Sequence, residues 1–87
     1  MFIERRRQQR YTINRAARYY SGLGALPRFC TITDISESGA RLFCDDNMPP
    51  DFTLTYEVDE KETRRECRIV WQLGGEYGVR FTDRMRL

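Results

Sequence analysis

The chain has 87 residues, of which 40% are hydrophobic and 32% charged, with a formal net charge of +2. A chain of this size buries only roughly 60% of its unfolded surface, which allows one thin core and excludes a core plus a deep catalytic cleft. No apolar run approaches the ~18 residues of a membrane span, and no apolar stretch follows the basic N-terminus as a secretory leader requires. The absence of His and the wide spacing of Cys30, Cys44 and Cys67 argue against a metal site.

The small net charge conceals a segregation along the chain. Residues 1–28 carry seven Arg against Glu4 alone; residues 31–62 carry nine acids against Arg41 and Lys61; residues 63–87 carry six Arg against three acids. Of the 15 basic residues only Lys61 is not Arg. Arg suits forked recognition of phosphate and stacking on bases.

In chain order, residues 1–10 read as a flexible basic arm. Tyr11 to Tyr20 favours strand through its Tyr, Thr and Ile content. Ser21, Gly22, Gly24 and Pro27 mark a loop. Arg28 to Ser36 reads as a second strand, with Phe29, Thr31, Thr33 and Ile35 alternating against Cys30 and Ile32. Glu37-Ser38-Gly39 turns the chain, with φ > 0 available at Gly39, and Ala40 to Cys44 continues as a short strand. Asp45 to Asp51 is a loop, because Pro49-Pro50 prevents regular pairing.

Phe52, Leu54, Tyr56 and Val58 alternate with Thr53, Thr55 and Glu57 as a half-buried strand, and Asp59 to Glu62 reads as a charged hairpin loop. A fifth strand follows, in which Cys67, Ile69, Trp71 and Leu73 share a face and Trp71 is expected in the core or at the barrel rim, the alternative being a stacking wall near a ligand. Gly74-Gly75 reverses the chain into a last strand over Tyr77, Val79 and Phe81. No helix is expected beyond a final turn at Asp83 to Leu87. Six short strands at regular spacing suggest a small closed antiparallel β-barrel over residues 11–82, an all-β class and a single domain over 1–87. The three cysteines read as small buried apolar residues in a reducing compartment.

Two short patterns carry chemistry. ERRRQQR, residues 4–10, places Arg6 and Arg10 four apart with Arg5 and Arg7 alongside. DISESG, residues 34–39, spaces Asp34, Ser36 and Gly39 as D-x-S-x-x-G. The second pattern alone is an ordinary turn, in which Asp34 and Ser36 bond nearby backbone N–H groups. With a ligand it offers a carboxylate, a hydroxyl and backbone N–H groups near a glycine. The first alone is a solvated basic arm; with a ligand, its guanidinium groups fork onto phosphate or onto the O6/N7 edge of guanine. Arg41 closely follows Gly39 and either reaches a ligand phosphate or pairs with Asp45 or Glu37. The acidic stretch from Asp45 to Glu62 reads as a solvated face or as a docking surface for a basic partner.

The two patterns, in this order and at this separation, together with the tail Arg68-Ile69-Val70-Trp71 and Glu76-Tyr77-Gly78-Val79-Arg80-Phe81, resemble the PilZ domain family over roughly residues 4 to 82. The resemblance implies a receptor for the bacterial second messenger cyclic di-GMP, with Arg5, Arg6, Arg10, Asp34, Ser36, Gly39 and Arg41 as ligand-binding residues. It also implies a cytoplasmic protein whose bound state is presented to a downstream protein, with motility, surface polysaccharide or a signalling kinase as output. Many members continue into a C-terminal helix; with Thr82 to Leu87 remaining, that helix is expected to be short or absent. Tyr11, Tyr19 and Tyr20 are then candidates to cover the barrel end. The alternatives are a PilZ-like adaptor that works through protein contacts without ligand, and a small-barrel nucleic-acid binder, which the acidic middle disfavours. An enzyme is the least favoured class: without His, no nucleophile stands beside an evident base, and no cofactor is called for.

Overall fold

Apolar alternation along each strand dictates a sheet with one buried face, and in a chain this short such a sheet removes its exposed edges by closing on itself. The computed structural model describes residues 11–22 and 24–83. Six strands are present: β1 Tyr11–Tyr20, β2 Arg28–Ile35, β3 Gly39–Phe43, β4 Asp51–Val58, β5 Lys61–Leu73 and β6 Glu76–Phe81. They close into one antiparallel barrel in the order β1-β2-β3-β6-β5-β4. The arm of residues 1–10 and the end of the expected C-terminal turn, residues 84–87, lie outside the described residues.

Inward residues from all six strands fill the barrel, among them Tyr19, Ile32, Leu42, Leu54, Cys67 and Tyr77. Tyr19 packs edge-on against Phe52 with ring centroids 5.6 Å apart. Of the tyrosines considered for covering an end, Tyr19 is core, only 1% exposed, and Tyr20 is half-buried. The loop between β3 and β4 closes that end: Met48 is buried, its N–H donates to the Tyr77 hydroxyl at 3.3 Å, and that hydroxyl donates to the Asp46 carbonyl at 2.9 Å. The opposite end holds Arg65, buried with its guanidinium 3.9 Å from the Phe81 ring centroid and with Nε 3.1 and 3.0 Å from the two Asp83 oxygens. Arg65 was not singled out in the sequence, although counting back by two from Cys67 points it inward.

The charged hairpin loop is tighter than its composition suggests. Asp59 and Glu60 take φ of 52° and 65°, and Lys61 and Glu62 already pair with Val58 and Glu57. Two successive residues at positive φ match the twist of a two-residue hairpin, so β5 starts at Lys61 rather than near Glu66. At the β5–β6 reversal Gly74 sits at φ 60°.

Three acids of the stretch 45–62 pair with Arg residues distant in the chain. Asp46 pairs with Arg28 at 3.3 Å, Asp51 with Arg68 at 2.8 Å, and Glu62 with Arg18 at 3.7 Å. The charge blocks of the sequence therefore interleave in space.

Register shifts fall on three strands: between Thr12 and Arg15, between Ile32 and Asp34, and between Ile69 and Trp71. One extra residue reverses the in-out phase of everything after it. On β5 this corrects the expected face. Cys67 points in and Ile69 packs on the core, but Trp71 and Leu73 face outward, 41% and 75% exposed. Gln72 turns toward the barrel instead, its Nε2 donating to the Tyr77 hydroxyl at 3.2 Å.

Candidate ligand-binding site

The shift on β2 acts on the D-x-S-x-x-G motif. Cys30 and Ile32 point into the core, so unbroken alternation would send Asp34 in as well. Thr33 is the extra residue, and its hydroxyl donates to the Arg41 carbonyl at 3.1 Å across the strand gap. Asp34 consequently sits on the outer wall opposite Arg41, where Arg41 Nε lies 3.6 Å from Asp34 Oδ2. The expected partners of Arg41, Asp45 and Glu37, are thus replaced by Asp34. At 3.6 Å this is an ion pair without a hydrogen bond, and the buried Arg41 Nε makes none.

The turn itself is closed by Ser36. Its N–H donates to the Gly39 carbonyl at 2.8 Å and its hydroxyl to the same oxygen at 3.3 Å. The turn is stitched to β6 by the Phe81 N–H, which donates to the Ser38 carbonyl at 2.8 Å. Gly39 does not occupy positive φ, contrary to expectation. Its requirement is steric: a Cβ at this position would stand 2.1 Å from the Val79 carbonyl oxygen, so β3 and β6 approach too closely for any side chain.

Arg41 also faces Gly78 on β6, and Gly78 in turn faces Trp71 on β5. A Cβ on Gly78 would fall 2.0 Å from Trp71 Nε1; the indole therefore lies across the bare backbone of Gly78. The Arg41 guanidinium stands 5.8 Å from the indole centroid, within cation–π range. A cleft of about 80 Å³ lies between Arg41, Val70, Trp71 and Gly78. One row across four strands thus carries a carboxylate, a guanidinium, a gap and an indole. The shifts on β2 and β5 are what bring its two ends, Asp34 and Trp71, to the same outer face. Two larger grooves, about 380 and 400 Å³, lie elsewhere, one between β1 and β4 and one beside the β3–β4 loop.

Of the sequence-predicted residues, the structure brings together Asp34, Ser36, Gly39 and Arg41. Arg5, Arg6 and Arg10 lie outside the described residues. β1 begins opposite the same turn, with Tyr11 paired to Ile35. Arg80, not among the residues the sequence singles out, faces Gly39 across the ladder. The signal was available in the outward phase of Arg80 between Val79 and Phe81.

Burial pushes the Cys30 and Cys67 thiols up to about 12 and raises Tyr19 and Tyr56. All three cysteines are free. No helix among the described residues is long and apolar enough to cross a membrane.

A closed six-stranded barrel with its polar motif on the outer wall belongs to the class of small-barrel binding domains. A family model described as the PilZ domain matches residues 4–87, and the chain belongs to the PilZ family, a family of cyclic di-GMP-binding domains. No curated protein matches the chain.

Proposed function

We propose that this protein binds cyclic di-GMP on the outer wall of the barrel and passes its occupancy to a downstream protein. The observation that carries this reading is the row Asp34, Arg41, Gly78, Trp71 beside the Ser36–Gly39 turn. The ligand has two guanines and two phosphates. Asp34 accepts from a guanine edge, as a carboxylate does. Arg41, 43% exposed at its side chain, serves a phosphate or a base face. Trp71 provides a flat surface against which a purine stacks. Arg5, Arg6 and Arg10 complete the site with guanidinium groups for the phosphates and guanine edges, and the output follows from the ligand's differential affinity for two states of the protein. A bacterial, cytoplasmic setting follows from the messenger and agrees with three unpaired thiols.

The test is calorimetric titration with cyclic di-GMP at physiological salt, with GTP and a short RNA as controls. Trp71, the single tryptophan, is followed by fluorescence in parallel. Selective, saturable binding with a change in indole emission is expected. Arg6→Ala and Arg10→Ala each cost about 1.5–3 kcal/mol of binding, the range for hydrogen bonds to charged groups. Native affinity in the double substitution would remove the arm from the site. Absence of binding by calorimetry and by thermal shift would leave the protein as an adaptor without ligand.

A further inference from the structure

Arg68 on β5 and Arg80 on β6 are direct cross-strand partners, and both are exposed. Like charges placed opposite one another destabilise a sheet. Arg68 is compensated, since its Nε donates to Asp51 Oδ1 at 2.8 Å. Arg80 is not: among the described residues its side chain has no acidic or hydrogen-bonding partner. Its other ladder neighbour is Gly39, so no side chain stands between Arg80 and the 36–39 turn. The next residue, Phe81, is fastened to that turn through the Ser38 carbonyl. Arg41 lies on the same outer face, opposite Gly78, two residues along β6.

We infer that Arg80 is a further ligand-binding residue, one that takes a phosphate of the dinucleotide seated on the 36–39 turn. The inference rests on the cyclic di-GMP reading above. What Arg80 lacks is negative charge, and the ligand carries negative charge only on its two phosphates, the guanines being neutral. Opposite Arg68, an Arg at this position weakens the empty barrel and gains its counter-charge when the ligand arrives. A residue that costs the unliganded fold without a local return marks a functional position. Arg80 and Arg41 then hold the ligand from the barrel side.

The experiment compares the native protein with Arg80→Gln and Arg28→Gln. Arg28 lies at the far end of β2 and pairs with Asp46, so its removal lowers the overall charge equally without touching the turn. Cyclic di-GMP affinity is measured by calorimetry at two salt concentrations, and melting temperature without ligand. Arg80→Gln should weaken binding roughly ten- to hundred-fold, the equivalent of one charged hydrogen-bonded contact, and flatten the salt dependence. Its melting temperature without ligand should equal or exceed the native value. Arg28→Gln should keep affinity within about twofold, as a distant site does. Native affinity and salt dependence in Arg80→Gln overturn the inference and leave the receptor reading standing, as does an equal loss in both variants. If the native protein itself binds no cyclic di-GMP, the reading fails and the inference falls with it.

Discussion

Gly39→Ala isolates the steric demand at the centre of the motif. The added Cβ would meet the Val79 carbonyl oxygen at 2.1 Å, the Val79 carbonyl carbon at 3.1 Å and Arg80 Cα at 3.3 Å. All three are backbone atoms of β6, held in the ladder by five register pairs from Gly39↔Arg80 to Phe43↔Glu76, so no side-chain rotation relieves the clash. One strand must move away by about 1.3 Å to bring the 2.1 Å approach out to the 3.4 Å at which ordinary contact begins. Overpacking by a methyl group costs about 1–3 kcal/mol where side chains can adjust; where only backbone can move, the upper end of that range applies. Against a total stability of about 4–13 kcal/mol for a chain of this length, a loss of about 3 kcal/mol is a large fraction. With a urea slope of about 1 kcal/mol/M, typical for a small domain, the midpoint falls by about 3 M. Urea unfolding followed by Trp71 fluorescence reads it directly. Gly22→Ala is the control, because nothing lies within 4 Å of its Cβ position and surface changes stay within about 0.5 kcal/mol. If Gly39→Ala unfolds at the same midpoint as Gly22→Ala, the close approach of β3 and β6 is not what demands glycine. The two variants also guard the binding assay: lost affinity in Gly39→Ala is a displaced turn until the folded fraction has been measured.

At Asp83, burial pushes the carboxyl up, but the Arg65 hydrogen bonds and charge outweigh it and hold it below the usual carboxylate range. A carboxyl lowered in the folded state contributes stability that is complete above its unfolded value, about 3.9, and is lost as pH falls through the lower folded value. The native urea midpoint should therefore drop on acidification below about pH 4, and Asp83→Asn should remove that part of the slope and cost about 1.5–3 kcal/mol at neutral pH. A native-like acid profile in Asp83→Asn would show that the Arg65 pair contributes nothing. Cys30 and Cys67, pushed up to about 12 by burial, hold almost no thiolate at pH 8. Their reaction with a disulfide reagent should track global unfolding across a urea series; rapid modification of both thiols in the folded protein would contradict their burial.

The strand count, the turn positions and the two motifs were legible in the sequence because each depends on local chemistry. Pro49-Pro50 ends pairing, Gly74-Gly75 reverses the chain, and alternation through Phe52, Leu54 and Tyr56 needs one buried face. The resemblance carried by Arg6, Arg10, Asp34, Ser36 and Gly39 agreed with the family match, again from residue identity and spacing alone. Other features were invisible for a shared reason. A period-two pattern says which residues share a face only while the register is unbroken, and an extra residue in a strand is defined by its partner strand. Thr33 is an extra residue only relative to β3, and Val70 only relative to β6. Those two offsets turn Asp34 and Trp71 to the outer wall; the strict alternation read from β5 had placed Trp71 with Cys67 and Ile69. Gly39 was read as a conformational glycine because its own backbone is all that a sequence displays, whereas its requirement comes from Val79, forty residues away in the chain. The sequence by itself determined that a small barrel with a polar turn would form. Only the tertiary pairing decided which side chains share the outer row, because register is a property of two strands and not of one.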